Sequence, residues 1–165
     1  MLDKLKEINK HSYSPYSNFS VSAIVVMKDG KEFPGVNVEN ASYGATICAE
    51  RSAILSAISN GYTKHDFESL HIYVNQDKPS TPCFMCRQVI TEMFEKDKDV
   101  ICYSNGGIDT YKVSELCPYP FDESDLNLQE AETLGYRLAL PEEIKALADE
   151  GIFLHYDSIK KVFEI

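Results

Sequence analysis

The sequence predicts a three-layer α/β/α domain on a mixed sheet of about five strands, with a C-terminal helical extension. Three observations carry that expectation. Strand-sized apolar runs alternate with runs whose apolar residues are spaced by three and four. An Asp29-Gly30 pair between the first two strand-like runs signals a hairpin, so the sheet is not wholly parallel. The chain then changes character, and Leu140-Pro141-Glu142-Glu143 reads as a fresh helix start, with Pro in the first turn and acids at the positive end.

Taken in order, apolar positions 2, 5 and 8 predict a short amphipathic helix over Leu2–Asn9, and the turn-rich SYSPYSN that follows predicts a loop. Val21–Met27 is an expected strand and Glu32–Val38 its return across the Lys28–Lys31 turn. A loop over Glu39–Ile47 leads to a helix over Cys48–Ser59, stopped by Asn60-Gly61. Leu70–Val74, Val100–Tyr103 and Thr110–Val113 are the remaining expected strands, with a helix over Cys83–Phe94 between the first two. The expected division is a domain over 1–127 and an extension over 128–165, holding a helix at Glu142–Glu150 and packed on the domain or at a subunit contact.

The bulk composition removes several function classes. Hydrophobic residues make up 44% and charged residues 25% of the 165, an ordinary globular mix. No apolar run approaches the roughly 20 residues of a membrane span. The opening MLDKLKEINKHS is charged and has no apolar core, which argues against a signal peptide and points to the cytoplasm. A net charge of -10 argues against a nucleic-acid partner, because such binding leans on clustered Lys and Arg. Five cysteines, an odd number, do not read as a disulfide framework. Cys102, inside an apolar run, reads as a buried strand residue, and Cys117 takes no role.

Two short motifs carry chemistry. Cys48-Ala49-Glu50 opens one expected helix, and Pro82-Cys83-Phe84-Met85-Cys86 opens another. Two helix starts side by side can gather three sulfurs around Zn²⁺, and three cysteines without an obvious fourth ligand leave a position open for water. Three thiolates would make the site net negative. The positive ends of both helices offset that charge and favour the thiolate forms. Arg51 can donate to a thiolate or make a surface salt bridge. Glu50, two residues after Cys48, is placed to move protons, although a first-turn Glu can also do no more than favour the helix dipole. A lone C-x-x-C also fits redox or structural zinc. C-x-E followed by P-C-x-x-C is the signature of the zinc-dependent nucleobase deaminases.

The stretch from Ser14 to about Leu126 resembles the cytidine deaminases, in particular their small, all-cysteine, homotetrameric kind. The resemblance is carried by Ser17-Asn18-Phe19, Gly35 through Tyr43, Ile47-Cys48-Ala49-Glu50-Arg51, and Pro82-Cys83 through Cys86-Arg87-Gln88-Val89. It implies one zinc per subunit on Cys48, Cys83 and Cys86, with Glu50 as the proton shuttle. It also implies Asn37 and Glu39 on the ribose hydroxyls, Phe19 against the nucleoside, the main chain of Ala49 on the base, and Phe121 reaching a neighbouring subunit's pocket. Without the resemblance, Asn37 and Glu39 read equally as a solvated strand end, and Phe19 and Phe121 as core residues. The implied activity is hydrolytic deamination of cytidine and deoxycytidine to uridine and deoxyuridine. Two alternatives are a deaminase of a modified cytosine nucleoside, of the blasticidin type, and a non-catalytic zinc-stabilised interaction module.

The chain departs from the family's usual pattern at Phe84 and Met85, where small residues are common, and at Ser20 and Ser22, in place of Pro and Gly. Phe84 and Met85 are expected to narrow the base pocket. The tail beyond about residue 128 has no counterpart in the short members.

Overall fold

The computed structural model describes residues 1–123 together with Asp125, Glu143, Lys145, Ala146 and Asp149. The chain divides into two units, Met1–Asp122 and Glu123–Ile165, and the first carries the fold set out below. The expected boundary after residue 127 lies outside the described residues. So does the expected extension over 128–165, apart from Glu143, Lys145, Ala146 and Asp149, which are helical.

Five strands form one mixed sheet: β1 (Val21–Met27), β2 (Glu32–Val36), β3 (Phe67–Val74), β4 (Asp99–Tyr103) and β5 (Ile108–Lys112). They lie side by side in the order β2-β1-β3-β4-β5. Only β3 and β4 are parallel; the other neighbours are antiparallel. The parallel pair is the one that needs a crossover, and α3 (Phe84–Met93) supplies it.

Strand alternation sorts the side chains into two layers. Ala23, Val25 and Met27 of β1 face a core shared with Ala49, Ala53 and Ala57 of α2 (Ala49–Ser59) and with Cys86 and Ile90 of α3. The intervening Ile24 joins Tyr73 of β3 and Leu5 of α1 (Leu2–Asn9) on the opposite face. One helix on one face and two on the other make the three layers that the sequence predicts.

The boundaries that differ have local causes. β2 stops at Val36 because the Asn37 side chain leaves the strand pattern: its Oδ1 accepts the Val21 N–H at 2.8 Å. Val38 then bridges Tyr13 and Ile47 instead of continuing beside β1. β3 begins at Phe67 rather than Leu70, paired with Met27 across an irregularity in β1. Phe67 earns that position by burial against Phe94, with ring centroids 4.8 Å apart. Val113 ends the expected fifth strand by opening a short helix, α4 (Val113–Leu116), where the Glu115 carboxylate accepts the Lys112 N–H at 2.6 Å. The Asn60-Gly61 stop of α2 closes as a Schellman turn, with Gly61 at φ +92° and the N–H groups of Gly61 and Tyr62 donating to the carbonyls of Ile58 and Ala57.

Candidate metal centre and active site

Cys48 is the N-cap of α2 and Cys83 the N-cap of α3, with Cys86 in the first turn of α3. The three Sγ atoms lie within 4.8 Å of one another, and Cys48 and Cys83 are 3.9 Å apart. Sulfurs bound to one tetrahedral zinc at about 2.3 Å stand about 3.8 Å from each other. The donor set and its spacing therefore fit zinc with one coordination position left over. Cys83 and Cys86 share a helix face, while residues 84 and 85 turn away by roughly 100° per step. Phe84 and Met85 are accordingly 81% and 65% exposed and do not line the cavity, so they do not narrow the pocket. Phe84 instead lies against the Arg87 guanidinium, 4.9 Å from its ring centre.

The thiols share their protons unequally. A hydrogen bond from Cys86, helped by Arg51 and Cys83 and opposed by burial, brings Cys48 down to about 5. Cys86 moves upward, because it keeps the shared proton and is buried near Glu50 and both other sulfurs. A cluster with a ready thiolate suits a metal cation. Arg51 Nη2 lies 3.9 Å from Cys48 Sγ and donates to the Thr46 carbonyl at 3.2 Å, while its buried Nε has no partner among the described residues.

Glu50, the second residue of α2, is 5% exposed. Burial is the main cause pushing its carboxyl above the usual range, with the Cys48 charge adding to it and its own backbone N–H opposing. A carboxyl tuned upward beside a metal position can both take and return a proton.

Cys48, Cys83 and Glu50 line a cavity of about 310 Å³ at the end of β3, where the N-termini of α2 and α3 meet. That is the small end of ligand sites, roughly 300–1,000 Å³. Its lining includes Cys48, Cys83, Glu50 and Ala49 together with Phe19, Asn37 and Glu39. Ala49 is the first residue of α2, so the helix itself offers no carbonyl to its N–H. Phe121 is 58% exposed and lies outside this chain's own cavity, with its carbonyl accepting from Gln88 Nε2 at 2.7 Å.

Several residues given no role by the sequence also contribute. Val21, Ile72 and Val74 give the cavity an apolar floor, and Ser17, Ser80 and Thr81 give it hydroxyls. Arg87 donates to Pro82 O at 2.8 Å, Thr81 Oγ1 at 2.9 Å and Leu116 O at 3.0 Å, so one guanidinium fastens the segment that delivers Cys83. Its place one residue after Cys86 was the available signal.

Residues 1–104 match the family model described as the cytidine and deoxycytidylate deaminase zinc-binding region. The chain belongs to the cytidine and deoxycytidylate deaminase family. Among relatives of this deaminase, the cytidine deaminase of Halalkalibacterium halodurans is 42% identical over 117 residues, which span 70% of this chain and 87% of that one. A solved cytidine deaminase from Burkholderia pseudomallei superposes with a TM-score of 0.69 at 38% identity, over 72% of this chain and 94% of that one. The blasticidin-S deaminase of Bacillus cereus is 32% identical over 71% of this chain and 81% of its own length.

Proposed function

We propose that this deaminase hydrolyses cytidine and deoxycytidine at C4, giving uridine or deoxyuridine and ammonia. The observation that carries the proposal is three converging cysteine sulfurs beside a buried Glu50 in one nucleoside-sized cavity. When bound by Cys48, Cys83 and Cys86, zinc supplies Lewis-acid activation of water. Glu50 takes a proton from the attacking water and delivers it to N3 of the base, which makes C4 electrophilic. The water oxygen bonds to C4; Glu50 then takes the remaining proton from the new C4 hydroxyl and gives it to the amino group, so that the C4–N bond breaks, the C4 carbonyl forms and ammonia leaves. In this reading the main chain of Ala49 contacts the base, Phe19 packs against the nucleoside, and Asn37 and Glu39 bind the sugar hydroxyls.

Glu39 is held ionised by hydrogen bonds from the Ser17 hydroxyl and from the backbone N–H groups of Tyr16 and Ser17. A fixed carboxylate at the sugar repels a phosphate, which favours a nucleoside over a nucleotide. The net charge of -10 likewise disfavours polynucleotides. Similarity to the blasticidin-S deaminase keeps a modified cytosine nucleoside as the second reading.

The proposal extends to a homotetramer working in pyrimidine salvage in the cytoplasm. Exposed Phe84, Met85, Tyr119 and Phe121 support subunit contacts, and five free cysteines support a reducing compartment. No described helix is long and apolar enough to cross a membrane. The test is ammonia release from cytidine by the zinc-loaded protein, with larger cytosine nucleosides alongside. Turnover of cytidine is expected to dominate; turnover of the larger substrates alone would shift the assignment to them.

A further inference from the structure

The loop that carries residues 17 and 19 also carries a row of hydroxyls, Ser12, Ser14 and Ser20, and one of them limits what Asn37 can offer a ligand. Asn37 is 8% exposed and lines the cavity. Its Oδ1 accepts the Val21 N–H at 2.8 Å and the Ser12 hydroxyl at 2.6 Å, which uses both lone pairs. Its Nδ2 donates one proton to the Phe19 carbonyl at 2.8 Å. The amide therefore has a single uncommitted group, its second N–H. Glu39, already ionised, can only accept. A sugar hydroxyl lodged between the two has one arrangement open to it: it accepts from Asn37 and donates to Glu39.

Ser12 lies outside the cavity lining and is half-buried. It has one proton, and the obligate acceptor at 2.6 Å takes it. The Ser12 oxygen also lies 3.3 Å from Ser14 Oγ, a longer contact than the one to Asn37, and Ser14 Oγ lies 3.1 Å from Ser20 Oγ. The three hydroxyls lie in a row that ends on Asn37. The loop they brace includes Asn18 in the left-handed region at φ +56°, a conformation Asn tolerates, and it presents Ser17 and Phe19 to the cavity.

We propose that Ser12 is a positioning residue for nucleoside binding: by filling the second lone pair of Asn37 Oδ1, it holds the amide so that only an N–H is offered to the sugar hydroxyl. The inference rests on the assignment of Asn37 and Glu39 to the sugar. Removing the hydroxyl leaves an open acceptor on a buried amide. That amide can then rotate, or capture the substrate's proton in competition with Glu39.

The experiment compares wild type, Ser12→Ala and Ser12→Thr, using cytidine as substrate and dideoxycytidine, which lacks both ring hydroxyls, as competitor. Ser12→Ala is expected to raise KM for cytidine by roughly three- to tenfold at unchanged kcat, the worth of one hydrogen bond. Ser12→Thr should restore it, and dideoxycytidine should bind wild type and Ser12→Ala equally well. An unchanged KM for cytidine overturns the proposal. So does an equal weakening of both nucleosides, which would mean general loosening of the loop. If wild type itself fails to prefer cytidine over dideoxycytidine, the sugar assignment falls and takes the role of Ser12 with it. If wild type releases no ammonia from cytidine, the deaminase assignment falls first.

Discussion

At the scale of single residues, Glu50 and Gly35 show two ways in which a side chain serves the site. Glu50 acts by its chemistry. Burial takes the carboxyl out of water and the Cys48 charge adds to it, so its proton affinity rises although Cys86 and Arg51 pull the other way. Glu50→Gln keeps the volume and the first-turn position but cannot exchange a proton. It is expected to retain zinc while turnover of cytidine drops by roughly 10²–10⁴-fold. Metal content and ammonia release, measured on the same preparation, check both halves; near-wild-type turnover would end the assigned role. Gly35 acts by lacking a side chain. A Cβ there would stand 2.3 Å from Ala53 N and 2.5 Å from Ala49 O, both backbone atoms of α2. Gly35→Ala must push the helix back, and with it the turn that carries Cys48 and Glu50. The expected loss is about 1–3 kcal/mol, read as a lower denaturant midpoint, together with weaker zinc retention. An unchanged midpoint would show that the helix yields without cost.

At the scale of elements, the helix starts were the most legible part of the chain. The predicted starts at Cys48 and Cys83 are the observed N-caps; neither makes a side-chain cap hydrogen bond, so the legible signal was the helical spacing of the apolar residues that follow. The strands were legible where alternation was clean, as in Val21–Met27, which matches residue for residue. They were not where pairing overrode composition. Phe67-Glu68-Ser69 is polar enough to read as loop, yet β1 draws it into β3. On the α1 side of that strand, His71 donates to or accepts from Ser69 at 3.1 Å and Tyr103 at 3.0 Å. Burial, then the N-terminal ammonium, holds its imidazole below the ordinary range, with Glu32 and Asp99 pulling weakly the other way. The depressed value sets the sign. As pH falls through about 6.5 the unfolded chain takes up a proton that the folded chain resists, so stability falls with it. Wild type should lose melting temperature between about pH 7.5 and about pH 5.5, and His71→Gln should lose less. Equal losses in the two proteins would remove His71 from the pH dependence.

At the scale of the whole molecule, the alternation of strand and helix periodicities and the Asp-Gly turn determined by themselves a mixed α/β fold, and the two cysteine motifs determined a metal-binding pair of helix starts; that this is a zinc deaminase came from the resemblance those motifs carry. Each is a short-range pattern whose physics lies within a dozen residues: side-chain period, turn conformation, and metal-ligand spacing at a helix start. Only the tertiary structure decided that Phe84 and Met85 face outward, that Ile72 and Val74 floor the cavity, and that Arg87 reaches Pro82, Thr81 and Leu116 at once. It also decided that Asn37 is bound by Ser12, Val21 and Phe19 before any ligand arrives. These facts depend on which surfaces meet when β1, β3 and β4 align and two helix N-termini converge. Contacts between residues tens of positions apart leave no periodic trace along the chain.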